Sequence, residues 1–214
     1  MKPFGLILVL LICLYQVQAQ ENYRTFIPKG YDTLYSGFAK GDLDKDGNED
    51  LVLALGHKDE RSDTVDIDSI PGRILLVLMG TKSGYRILAK TTKAILCKNC
   101  GGVFGDPFAG IDIQNGILVM HHYGGSAWRW SYNQKFRYQK KNLYLIGTTR
   151  FTYWNVEHCD ELGEFAGTDY EDVNLVTGNF EKKVITTDCK LKENRKGKRK
   201  VLPLQTITEF SIDN

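Results

Sequence analysis

Five oxygen-bearing residues alternate through one short stretch: Asp42, Asp44, Asp46, Asn48 and Asp50 within Gly41–Asp50. Four carboxylates this close repel one another unless a cation holds them. Alternate spacing turns Asp42, Asp44 and Asp46 inward as the loop curls, and Gly47 permits the sharp turn. Asn48 follows and can offer its backbone carbonyl. Hard oxygen ligands in a flexible loop select Ca²⁺ over Mg²⁺ or a transition metal. A helix–loop–helix calcium site would need a bidentate Glu where this chain has Leu53. Its flanks would also be helical, and these read as strands. The alternative is a solvated acidic turn without an ion.

A second constellation is nucleophilic. Asp106 with His122 forms a potential acid–base pair, and Ser126 follows as a nucleophile. This would make a secreted hydrolase. Gly124-Gly125-Ser126-Ala127-Trp128 lacks the final Gly of a nucleophile elbow and has no strand-to-helix setting, so a non-catalytic module is the preferred reading. His121 and His122 are adjacent, so in a strand they face opposite ways and cannot chelate one ion together. His121, His122, Tyr123 and Arg129 are the candidate ligand contacts, for an unknown protein or a glycan.

The elements that must position these groups are strands. Leu51–Leu55 and Ile74–Met79 are short apolar runs bounded by polar residues, the pattern of strands covered on both faces. Tyr85–Thr91 and Lys93–Cys97 read as further strands, and Gly101–Gly110 as a loop with one helical turn at Pro107-Phe108. Trp128, Trp130, Tyr132, Gln134, Phe136 and Tyr138 alternate with Arg129, Ser131, Asn133, Lys135 and Arg137, a period of two with one aromatic face. We read that face as core, because an exposed aromatic row of this size would aggregate. The rival is a stacking platform for a ligand. Ile117–Tyr123 precedes it and Gly124-Gly125 makes the turn. Leu143–Thr148 and Phe151–Trp154 read as one pair, Val173–Thr177 and Lys183–Thr187 as another, and Leu204–Ile212 as a closing strand. No stretch sustains a 3.6-residue period. The expected fold is mainly β: an antiparallel sandwich or an incomplete propeller-like domain.

The segment from Phe38 through Gly41-Asp42-Leu43-Asp44-Lys45-Asp46-Gly47 to Leu53 resembles the FG-GAP/VCBS loops of integrin α N-terminal-like β-propellers. The resemblance implies Ca²⁺ carried by the Asp42, Asp44, Asp46 and Asp50 side chains and by the Asn48 backbone. It spans about 20 residues. Propellers repeat the loop in several blades and it occurs here once, which favours an incomplete propeller or a sandwich. Roughly Gly30 to Phe151, with Cys97-x-x-Cys100-Gly101-Gly102 and His122-Tyr123-Gly124-Gly125, is similar to a group of exported bacterial proteins and implies no activity.

Export is also what the N-terminus predicts. One Lys, an apolar run from Phe4 to Tyr15, and Val17-Gln18-Ala19 make a signal peptide over 1–19, cleaved after Ala19. The remainder, 20–214, reads as a single β-rich domain, not membrane-spanning. Removal of Cys13 leaves Cys97, Cys100, Cys159 and Cys189, an even count that in an oxidising compartment reads as disulfides. Cys97–Cys100 with Cys159–Cys189 is the preferred pairing of three. A redox or zinc C-x-x-C would want a helix start or two further ligands. The 214 residues carry 28 Lys and Arg against 26 Asp and Glu, so no field of one sign draws the chain to nucleic acid. Seven of those basic residues crowd 190–200 beside one Glu, read as a solvated basic loop with no aromatic residues for bases to stack on.

Overall fold

The structure is a computed structural model and describes residues 22–62, 64–66 and 69–212; the expected signal peptide lies outside them. About 55% of the chain is strand and 5% helix, and every ladder is antiparallel. Two sheets pack in a sandwich-like arrangement with no closed barrel.

The smaller sheet is a meander of β1 (Tyr31–Gly41), β2 (Asp50–His57), β3 (Ile74–Thr81) and β4 (Gly84–Thr91), in that spatial order. The continuous apolar runs of β2 and β3 follow from burial on both faces. Val52, Ala54, Leu75, Val77 and Met79 face the other sheet. Leu51, Leu53, Leu55, Leu76 and Leu78 face away, under a lid of Tyr23 and Phe26 from a 3-10 turn at Asn22–Phe26 and of Ile27 just after it.

The larger sheet holds β5 (Phe108–Gln114), β6 (Ile117–Gly125), β7 (Trp128–Gln139), β8 (Asn142–Trp154), β11 (Asp169–Asn174), β12 (Asn179–Ile185) and β13 (Leu191–Lys198), in the order 13-12-11-8-7-6-5. A two-residue hairpin, β9 (His158–Cys159) with β10 (Glu164–Phe165), forms its own ladder. The shared core takes Ile111, Leu118, Met120, Phe136, Leu143 and Leu145 from β5 to β8 only. The smaller sheet therefore sits over β5–β8, and β11–β13 extend past it. At the junction β5 runs tight against β1: a side chain at Gly41 would put its Cβ 2.5 Å from Ile113 Cγ2.

Several expectations need correction. Lys93–Cys97 is no strand; Ala94 and Ile95 drop into the core from a loop instead. Pro107-Phe108 starts a strand, β5, not a helical turn. The two strands expected within 143–154 are one: the ladder with β7 continues through a bulge between Leu145 and Gly147, beyond which the odd-numbered side chains change face and Thr149 donates outward to Asp172 (2.5 Å). Leu204–Ile212 makes only one bridge, Thr206 to Tyr144, along the stretch of β8 that β11 leaves unpaired. The chain then turns and buries Ile207 and Phe210. The basic loop is mostly strand: 191–198 forms edge strand β13.

The cysteines pair as Cys97–Cys100 and Cys159–Cys189. The second bond lies in a separate small core with Ala166, Ile185 and Trp154, and it ties the β9–β10 hairpin to the chain after β12. Disulfides form and persist in oxidising compartments. No helix among the described residues is long and apolar enough to cross a membrane.

Candidate functional site: the acidic turn and two strand faces

The acidic residues occupy the turn from β1 to β2. Asp42, Asp44 and Asp50 each bring one carboxylate oxygen within 4.8 Å of the others. Two oxygens bound at about 2.4 Å on opposite sides of a calcium ion are that far apart. Backbone geometry makes the convergence possible. Gly47 has φ 85° and Lys45 φ 65°, two left-handed residues that fold the loop back on itself. Asp42 then accepts hydrogen bonds from the backbone N–H of Asp46 (3.1 Å) and Gly47 (2.9 Å).

Asp50 anchors the turn to the sheet. It is fully buried, and its two oxygens accept from the Leu43 N–H (2.7 Å) and the Gly80 N–H (2.8 Å). Glycine is required at position 80 because a Cβ there would lie 2.3 Å from the Glu49 carbonyl. Burial raises the Asp50 pKa; the two N–H donors oppose the rise, and the charges of Asp44 and Asp42 add to it. Burial and the charge of Asp46 raise Asp44 as well. The charges of neighbouring carboxylates thus add to burial at Asp44 and Asp50, a cost a cation would relieve.

Asp46 stands apart from the group. It is exposed, and its oxygens accept from the Asn48 N–H and the Asn48 side-chain amide, both at 2.8 Å, which lowers its pKa. Of the five residues singled out in the sequence, three converge and Asp46 and Asn48 bond to each other.

The hydrolase constellation is not assembled. Asp106 is held by Arg73, which donates Nη1 to Oδ1 (2.7 Å) and Nη2 to Oδ2 (2.6 Å). Arg73 is buried and also donates to Glu60 (2.8 Å), and Lys98 bonds the Glu60 carbonyl. Burial alone would lower the Arg73 pKa, but the bonds and charges of Asp106 and Glu60 outweigh it and hold the guanidinium ionised. His122 is 1% exposed, and neither ring nitrogen has a hydrogen-bond partner, so neither Asp106 nor Ser126 reaches it. Burial pushes its pKa down to about 4, with Arg73 reinforcing and Gln134 and Asp106 opposing. Ser126 is exposed in the β6–β7 turn.

The strand period divides the candidate contacts between faces. His122 lies inside against Phe108. His121, Tyr123 and Arg129 lie on the outer face of the larger sheet. His121 bridges Asp112 (2.7 Å) and Asn133 (2.8 Å), and Arg129 stacks on Phe104 at 3.8 Å. Around them is an aromatic group that reading the sequence missed. Tyr153 stacks with Phe151 (4.8 Å) and meets Phe165 at a tilt (4.7 Å), its hydroxyl meets that of Tyr123 (3.4 Å), and Phe151 meets Tyr170 edge-on. Burial and Tyr123 raise the Tyr153 pKa to about 12. A groove of about 500 Å³ runs along Phe151, Tyr170, Asn133, Thr149 and Lys183. Its signal in the sequence was the alternation Phe151-x-Tyr153, obscured by placing a turn before it.

The aromatic row on the opposite, inner face is graded. Phe136 is fully buried, Trp130 and Tyr132 are half-buried and stack at 4.9 Å, and Trp128 is 50% exposed. The core reading holds at the Phe136 end and fails at Trp128, where the row runs out from under the smaller sheet.

No family model, curated protein or solved structure matches the chain.

Proposed function

We propose that this is an exported calcium-binding β module that binds a partner and catalyses no reaction, with the ion fixing the turn between β1 and β2. The convergence of Asp42, Asp44 and Asp50 carries the reading. Calcium takes six to eight oxygens in flexible geometry. Asp46 and the Asn48 carbonyl complete the set when Asp46 exchanges its bonds to Asn48 for the ion. Through Asp50, which bonds both Leu43 and Gly80, the ion tightens the end of the smaller sheet. The wet aromatic face of the larger sheet, with His121, Tyr123 and Arg129, is the binding surface for a protein or glycan ligand.

Thermal melts in Ca²⁺ and in EDTA test the ion. Binding only the native state stabilises it by about 2.7 kcal/mol at a free concentration 100 times Kd. The expected result is a higher midpoint in Ca²⁺, abolished by Asp44→Ala and reduced less by Asp46→Asn. A midpoint indifferent to both Ca²⁺ and EDTA overturns the site.

A further inference from the structure

The edge of the larger sheet carries a cationic and apolar corner that the calcium reading leaves unused. Residues 190–200 hold seven basic side chains and one acidic. Four of the seven have partners: Lys190 with Asp188, Arg195 with Glu193, Lys196 with Glu181 (3.0 Å) and Arg199 with Glu171 (2.7 Å). Lys192, Lys198 and Lys200 are exposed with no ion pair among the described residues. Lysines on an edge strand are explained by the need to block pairing with another chain. That need does not explain the aliphatic side chains beside them.

Leu202 is 66% exposed, Val201 46% and Val176 40%. Val201 and Leu202 lie at one corner beside Gly178, because the chain leaving β13 runs along the β11–β12 turn. Arg199 N–H donates to the Gly178 carbonyl (2.9 Å), and a Cβ at Gly178 would lie 3.3 Å from Val201 Cγ2. Lys198, Arg199 and Lys200 precede the aliphatic pair directly. Outside 190–200 acidic residues outnumber basic ones, so this segment carries the excess positive charge of the chain.

We infer that this corner docks on an anionic lipid surface, with Lys198 and Lys200 against phosphate headgroups and Val201 and Leu202 in the boundary of the acyl region. Charge complementarity selects the anionic surface, and the exposed aliphatic pair selects a bilayer over a soluble polyanion, which would leave it in water. The absence of aromatic residues from 190–200 argues against a nucleic acid.

Vesicle flotation tests this, using phosphatidylcholine alone and phosphatidylcholine with about one third phosphatidylglycerol, in EDTA and again in Ca²⁺. The expected result is binding to anionic vesicles only, in both buffers, lost at high salt because exposed charges are screened. Lys198→Glu with Lys200→Glu, and separately Leu202→Asp, should each weaken it about tenfold or more. Thermal midpoints should stay unchanged, since all three side chains are exposed. Absence of binding, or equal binding to neutral vesicles, overturns the proposal. Binding only in Ca²⁺ moves the contact to the acidic turn and overturns it. Capture by a soluble sulfated polysaccharide that is indifferent to Leu202→Asp makes the corner a polyanion site instead.

Discussion

The two sheets solve the same problem differently. The smaller sheet is dry on both faces of β2 and β3, and those two strands spend nearly every side chain on packing. Its chemistry has moved to one end, into the acidic loop between β1 and β2. The larger sheet meets the smaller one with one face, over β5–β8. Its other face is free to hold His121, Asp112, Asn133 and the ring of Tyr153, Phe151 and Tyr170. A sheet covered twice can place function only at its ends, whereas a sheet covered once can place it across a whole face.

The largest effect should separate these regimes directly. Leu76→Ala, at a position 1% exposed under the 22–27 lid, should cost about 2–5 kcal/mol in denaturant unfolding through lost burial and a cavity. Phe151→Ala on the wet face should cost well under half as much and should abolish binding to whatever ligand that face takes. Equal costs would show that the outer face is structural after all.

The disulfides sharpen the contrast within the larger sheet. Cys159–Cys189 closes a sequence separation of 30 and Cys97–Cys100 one of 3. Loop-closure entropy then gives about 3.6 kcal/mol for the first and about 1.6 for the second. Paired Cys→Ser variants, melted without reductant, should show the larger loss at Cys159 and Cys189. The reverse order would mean that the loop at 97–107 is the more important clamp on the sheet junction.

Acid provides a third probe, on the inner face. His122 is neutral in the native protein, its pKa held at about 4 against about 6.5 in the unfolded chain. Its contribution is complete above about pH 6.5. Between there and about 4 the unfolded chain gains a proton that the native state refuses, and stability falls by about 3 kcal/mol. Asp44 and Asp50 run the other way: their raised pKa values favour the native state as pH falls. Subtracting the pH profile of His122→Leu from that of the parent isolates the histidine. A difference that stays flat from pH 7 to 4 would show that His122 already has a proton partner.

Much of this was legible in residue order. The apolar runs at 51–55 and 74–79 are strands buried twice, because only such strands lack a polar period. The alternation from Trp128 to Tyr138 is one strand, because side chains alternate across a pleat. Thr149-Arg150 hid the length of β8, since two polar residues look like a turn when the overhang that accommodates them is unknown.

The sequence alone determined what depends on neighbours along the chain: the strand period, the acidic spacing of Asp42 to Asp50, the opposite facing of His121 and His122. Tertiary structure decided what depends on distant partners. It placed the carboxylate of Asp50, not that of Asp46, in the group with Asp42 and Asp44, while Gly80 on β3 passes beneath the turn and donates to Asp50. It gave Asp106 to Arg73, because the loop entering β5 packs against the residue that enters β3, and left both ring nitrogens of His122 without a hydrogen bond. It brought Val201 and Leu202 out beside the lysines of the edge strand, because the smaller sheet covers only four of the seven strands below it. Local spacing fixes which face a residue takes; what that face meets is set by the relative size and position of the two sheets.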